Sequence, residues 1–281
     1  PYDIHQMGTS PSALAFNKNK TRLYSANETE RRARRRDVPG SRPVDEAPGS
    51  EEHRPMTDQS RSPLELVAPL AVDEAVLADG SRHRELYTME GLLTLHWAGD
   101  PSAQHVVITM GGAMGGVLGP ANALFHELAT TLPADDIGVI RVGYRRPGRP
   151  ETCLVDVAAA AETAARAGAE RFVFLGHSFG GAIAIQAAVT MPAHTAAVAT
   201  FATQSGGCEQ ADQLPDVPFV LYHGDRDRIL GPENSHMVQM MAGRGDVRML
   251  PGADHLLVEA ADEIRAHFSP WLPASVAPRD T

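Results

Sequence analysis

The sequence predicts an α/β domain with a mostly parallel central sheet and helices on both faces. Three observations predict it. Beyond about residue 105, short apolar runs alternate with longer helical runs, the pattern of strands joined by helical crossovers. Gly176-His177-Ser178-Phe179-Gly180 stands between the apolar run Arg171–Leu175 and a small-residue run that opens at Gly181-Ala182-Ile183, so it reads as strand, sharp turn and helix. The chain also has 281 residues of 43% hydrophobic content, enough to bury the core of one domain of roughly 200 to 250 residues.

Residues 1–62 hold many Arg, Glu, Ser, Pro and Asn and few periodic apolar positions, so they are expected to be a disordered or linker-like extension. Within them, Arg31-Arg32-Ala33-Arg34-Arg35-Arg36 is flanked by Glu28, Glu30 and Asp37 and reads as a solvated charge run. The domain is placed at 63–272, with 273–281 as a C-terminal tail. Leu64 to Leu77 is apolar-rich. Gly91 to Trp97 alternates as a strand and ends at the turn Gly99-Asp100-Pro101-Ser102, and His105 to Thr109 reads as its antiparallel hairpin partner.

A helix from Ala121 to Leu132 then leads to a strand at Ile137–Val142. The next helix, Pro150 to Ala167, has proline in its first turn and Gly168 just past its end. After the strand before Ser178 and a helix to about Thr190 come strands at Ala196–Phe201 and Pro218–Tyr222. A helix at Pro232–Met241, a strand at Val247–Leu250 and a helix at Leu256–His267 complete the series.

A formal net charge of −10 argues against a nucleic-acid partner or an anionic membrane surface. Cys153 and Cys208 are far apart and form no C-x-x-C, so they read as reduced structural thiols. The twelve histidines contain no H-E-x-x-H, and no metal site is expected. No apolar run approaches about 18 residues and no signal-like segment opens the chain, so the expectation is a cytoplasmic protein of open oligomeric state, with no membrane partner.

A serine hydroxyl is a poor nucleophile until a base takes its proton and a carboxylate orients that base. The strand Phe219–Tyr222 runs into His223-Gly224-Asp225-Arg226-Asp227-Arg228-Ile229-Leu230, a turn with two candidate acids. The strand ending at Leu250 runs into Pro251-Gly252-Ala253-Asp254-His255, a turn with one histidine. Both turns fall at C-terminal strand ends, on the sheet edge that carries Ser178. The loop Met110-Gly111-Gly112-Ala113-Met114-Gly115-Gly116 also follows a strand, and its glycines let backbone N–H groups approach a developing oxyanion. No G-x-G-x-x-G register fits it and no Gly-Lys-Ser/Thr follows, so a phosphate or dinucleotide loop is disfavoured and no cofactor is expected.

G-H-S-F-G, H-G-D-R-D and G-A-D-H, in that order over roughly residues 85 to 270, resemble the motifs of the α/β-hydrolase family. The outline is most similar to its small dienelactone-hydrolase-like and esterase members. The resemblance implies Ser178 as nucleophile, His255 as base and Asp227, the last residue of its turn, as acid. It places the oxyanion donors on Phe179 and on Gly112 or Ala113, although Met110-Gly111 stands where the family has His-Gly. By the same resemblance His177 is a packing residue, and His223 reads as structural. Only about 16 residues, Ala202 to Val217, separate two strands where many members insert a lid, so no lid domain is expected and the site should be open and shallow.

The implied activity is cleavage of a small-molecule carboxylic ester, short-chain, through an acyl-enzyme. A thioesterase or acyltransferase on the same residues is the alternative, and a non-catalytic binding protein a further one. Met114, Leu118, Tyr144, Gln204 and Ser205, near strand ends, are the candidate substrate-binding residues. The arginines of Gly143–Arg149 read as a solvated loop, with an acidic substrate as their other possible partner.

Overall fold

Among the described residues, nine strands, numbered β1 to β9 in chain order, form one sheet in the order β1-β2-β3-β5-β4-β6-β7-β8-β9. The computed structural model describes residues 61–277. The Arg31–Arg36 run and nearly all of the expected N-terminal extension lie outside the described residues. β1 (Ala71–Val76), β2 (Arg82–Thr88) and β3 (Gly91–Ala98) pair antiparallel, and β3 continues antiparallel onto β5 (Ile137–Gly143). The rest pair parallel: β4 (His105–Met110) with β5 and β6 (Arg171–His177), then β7 (Thr195–Phe201), β8 (Phe219–Gly224) and β9 (Asp246–Leu250).

The expected hairpin of β3 and β4 does not form, because β5 lies between them. The reason lies in their patterning. β4 is apolar and buried along nearly its whole length, as a strand covered on both faces must be, and parallel partners occupy both of its edges. β3 alternates buried and partly exposed residues and takes a place nearer the rim. The reading also missed β1 and β2. β1 is exposed throughout, so it carries no buried apolar face to betray it.

Helices cover both faces. Successive side chains of a strand point to opposite sides, so Phe172 and Phe174 of β6 enter one core while Val173 and Leu175 enter the other. The first core is closed by α1 (Pro63–Val67), α3 (Pro150–Ala167) and α4 (Phe179–Thr190), with Val157, Ala160 and Ile183 among its residues. The second is closed by α2 (Pro120–Thr131) and α6 (Ala261–Val276), through Leu124, Phe125, Ile264 and Phe268. α5 (Glu233–Ala242) follows β8.

α6 extends well past the expected end near His267, into what was assigned as tail, and contains Pro270 and Pro273. Proline costs about 3 kcal/mol in a helix interior. Ile264, Phe268 and Leu272 recur every fourth residue and are all buried, so the packing of this stripe carries the helix through both prolines. Between β7 and β8 the chain forms one short 3-10 turn, Ala211–Gln213, and no lid domain. Among the described residues, no helix is long and apolar enough to cross a membrane.

Candidate active site

Loops after β4, β6, β8 and β9 meet at the C-terminal edge of the sheet. Ser178 caps α4 with φ 57° and ψ −120°, a conformation that costs a non-glycine residue about 1–3 kcal/mol. Close packing imposes it. A Cβ on Gly176 would fall 2.0 Å from the Gly180 carbonyl oxygen, and one on Gly180 would fall 2.3 Å from that of Met110, so both positions accept only glycine. The Ser178 N–H donates to the Phe201 carbonyl at 2.8 Å, and its carbonyl accepts from Gly181 at 3.0 Å. Its hydroxyl is left without a hydrogen bond to any described residue. Phe179 opens α4, so its N–H has no carbonyl one turn back to bind.

The loop after β4 brings Gly112 against the serine. Gly112 and Gly115 form an isolated bridge, with the Gly115 N–H donating to the Gly112 carbonyl at 2.9 Å. A Cβ on Gly112 would meet Ser178 Cβ at 3.7 Å, His177 Nδ1 at 3.8 Å and Ser178 Oγ at 4.0 Å. Those are ordinary contacts, so Gly112→Ala should fold normally. The added methyl would nonetheless stand beside the hydroxyl, in the space that a carbonyl attacked by Ser178 would have to enter. We expect kcat/KM to fall at least about tenfold with an unchanged melting temperature. An unaltered rate would exclude this space from the reaction path.

Asp227 and His255 form a tight pair, with His255 Nδ1 2.7 Å from Asp227 Oδ2. A carboxylate only accepts, so Nδ1 carries the proton and Nε2 presents its lone pair, which no described residue engages. The second Asp227 oxygen accepts the N–H groups of Ile229 at 2.8 Å and Leu230 at 2.9 Å. Burial acts to raise the Asp227 carboxyl, but the Leu230 N–H, the His255 ring and the Ile229 N–H outweigh it and hold the group below its ordinary value.

The two other acids of these turns serve the backbone. Asp225 accepts from the Gly252 N–H at 2.7 Å, and Asp254 from the N–H of His255 itself at 2.7 Å. His177, beside the serine, donates from Nε2 to the His255 carbonyl at 3.0 Å, and the two rings lie 5.0 Å apart. Burial pushes its imidazole down to about 4, so it is a neutral donor that ties the serine turn to the histidine loop.

The remaining expected residues are placed unequally. Met114 is 95% exposed and Leu118 is 57% exposed, with Ile229 and Leu256 also exposed in the acid and histidine loops. Ser205 is fixed by Asn234, which accepts from its N–H at 3.1 Å and its hydroxyl at 2.8 Å. The Gln204 amide donates to the Gly206 carbonyl at 2.7 Å. Tyr144 is buried, its ring edge-on to Phe179 at 6.4 Å, which places it behind the serine turn.

The arginine loop is not wholly solvated. Arg145 is buried against Asp156, with Nε 2.5 Å from a carboxylate oxygen, and Arg146 donates to the Glu90 carbonyl at 2.8 Å. Asp156 escaped the sequence reading; it and Glu162 are both buried beside the alanines of α3, and a buried acid needs a partner, which for Asp156 is Arg145. Among the described residues, no cluster of His, Cys, Asp and Glu could hold a metal ion.

No protein-family model matches the chain, and no curated protein sequence matches it. Solved structures do. Est1E from Butyrivibrio proteoclasticus aligns over 70% of this chain and 99% of its own at 13% identity, with a TM-score of 0.58. Dienelactone hydrolase from Anabaena variabilis aligns over 72% and 98% at 15% identity, with a TM-score of 0.57. The thioesterase domain from the curacin biosynthetic pathway aligns over 70% and 98% at 14% identity, with a TM-score of 0.52. Sheet order, serine turn and structural neighbours agree, and the chain has the α/β-hydrolase fold.

Proposed function

We propose that the protein is a serine hydrolase that cleaves carboxylic esters of small molecules through an acyl-enzyme. The observation that carries this reading is the pair of Asp227 and His255, 2.7 Å apart, in the loops that adjoin a strained serine whose hydroxyl no described residue engages. In the proposed cycle His255 Nε2 takes the Ser178 proton as Oγ attacks the ester carbonyl. The N–H groups of Phe179 and of Gly112 or Ala113 then bind the oxyanion. His255 returns the proton to the leaving alcohol, and water releases the acid by the same route in reverse. Asp227 fixes the tautomer and stabilises the charged imidazole.

The absence of an inserted lid between β7 and β8 favours short acyl groups, and Met114, Leu118, Ile229 and Leu256, exposed among the described residues, offer an apolar rim to them. The second reading, thioester cleavage or acyl transfer on the same residues, is favoured by the likeness to a thioesterase domain. Labelling with a fluorophosphonate should modify Ser178 and no other residue. A panel of p-nitrophenyl esters of graded chain length, run beside matched thioesters, then ranks the leaving groups. Absence of labelling in the folded protein would overturn the hydrolytic reading.

A further inference from the structure

Among the groups around the proposed triad, one has no assigned part in the chemistry yet shares an atom with it. His223, the last but one residue of β8, is fully buried, and both of its ring nitrogens are engaged. Its Nε2 lies 2.9 Å from the Leu230 carbonyl oxygen, which can only accept, so Nε2 carries the proton. Nδ1 is therefore a bare acceptor, and it takes the Ser235 hydroxyl at 2.7 Å. The same Nε2 lies 3.3 Å from Asp227 Oδ2, the oxygen that receives His255 Nδ1 at 2.7 Å. One carboxylate oxygen thus stands between two imidazole N–H groups, one from the proposed base and one from a histidine out of reach of solvent.

We propose that His223 is a positioning residue. Its N–H, wedged between the Leu230 carbonyl and Asp227 Oδ2, orients the carboxylate and moderates the negative charge on the oxygen that holds His255. The proposal rests on the hydrolytic reading and deepens it. Ser235 sets the tautomer: a hydroxyl proton on Nδ1 leaves Nε2 as the only place for the ring's own proton. Burial keeps the ring neutral by pushing its imidazole down, against the upward pull of the Leu230 carbonyl and of Asp227. A neutral N–H dipole beside the acid steadies it without cancelling its charge, as a cation in the same place would.

The other groups in reach fit this division of labour. His177 holds the His255 main chain and is itself neutral; Asp254 accepts the His255 N–H; Asp225 is turned to Gly252. Arg226 and Arg228 are exposed on either side of Asp227, and the Arg228 N–H goes to Asp254. Of these side chains, only those of His223 and His255 reach the Asp227 carboxylate within ion-pair distance.

Two substitutions separate positioning from bulk. His223→Asn keeps an acceptor for Ser235 near Nδ1 but has nothing at Nε2. His223→Gln places an amide N–H close to the Nε2 position. With the Asn variant, kcat should fall about ten- to a hundredfold, the rate equivalent of losing one hydrogen bond to a charged group. With no N–H to share, Oδ2 binds the imidazolium more tightly. The acid limb of the kcat/KM profile should therefore move up by roughly half to one pH unit, less than a full hydrogen bond to a charged oxygen because the His223 N–H is shared with the Leu230 carbonyl. The Gln variant should stay within about threefold of the parent with its limb in place.

Equal losses in both variants, or a limb that stays or moves down in the Asn variant, would overturn the proposal. Ser235→Ala, which frees the tautomer without touching His223, should shift the limb in the same direction by less, and covers the case in which the Asn variant does not fold. The low-field proton resonance of His255 Nδ1 in the resting protein reads the same bond without turnover. It should move further downfield in the Asn variant and hold its position in the Gln variant. If the parent hydrolysed no ester, the hydrolytic reading would fail while this resonance still decided the role of His223; an unmoved resonance would reject that role.

Discussion

Ser178→Ala is expected to lower kcat by about a million-fold while the protein keeps its fold, the magnitude that loss of a serine nucleophile brings elsewhere. The physical basis is that nothing else at the sheet edge can take over. The serine stands on a turn in which positions 176 and 180 accept only glycine, with Oγ 4.0 Å from where a Cβ on Gly112 would sit. Removing the oxygen leaves the two proposed oxyanion N–H groups and the imidazole with no atom to activate. Stability should not fall, because the hydroxyl makes no hydrogen bond to a described residue. Circular dichroism and hydrolysis of a p-nitrophenyl ester, measured together, check both halves. Near-parental turnover in the variant would remove Ser178 from the mechanism.

Asp227→Asn should lower kcat by about ten-thousand-fold, the second largest effect, because an amide can present an N–H to His255 and so hold the ring in the wrong tautomer. The carboxylate accepts three N–H groups, from His255, Ile229 and Leu230. An amide oxygen can still serve the two backbone donors, so the loop should keep its shape while the His255 Nδ1–H loses its hydrogen-bond acceptor. Asp225→Asn is the matched control. That side chain holds the Gly252 N–H, which an amide oxygen can also do, so the rate should stay within about threefold. Similar losses in the two variants would mean that the acid had been chosen wrongly.

The contrast between those two acids shows how far the sequence could be read. Strand, turn and loop at Ser178, Asp227 and His255 are local signals, and each was legible from a few consecutive residues. Which of two acids two positions apart faces the imidazole is not local; only the family resemblance separated them, and the geometry now does so by hydrogen bonds. The misplaced hairpin has a similar origin. β3 and β4 are neighbours in sequence and both read as strands, but strand order depends on which edges are already occupied, and β5 arrives some thirty residues later to stand between them.

α6 failed in the other direction: Pro270 and Pro273 are strong local breaks, and a buried stripe that only tertiary packing completes overrode them. The partnership of Arg145 and Asp156 was invisible for the same reason, because it joins a loop to a helix that follows it and shows only once the loop folds back.

β1 has one further implication. Among the described residues it is the outermost strand of the sheet, every one of its residues is exposed, and its one strand partner is β2. The main-chain groups on its far side are therefore a template onto which another polypeptide could lay itself. Asp73 and Glu74 stand at its middle, Glu74 paired with Arg82 and Arg84 of β2, and charge on an edge strand opposes edge-to-edge pairing. Variants made for other purposes should leave both acids in place.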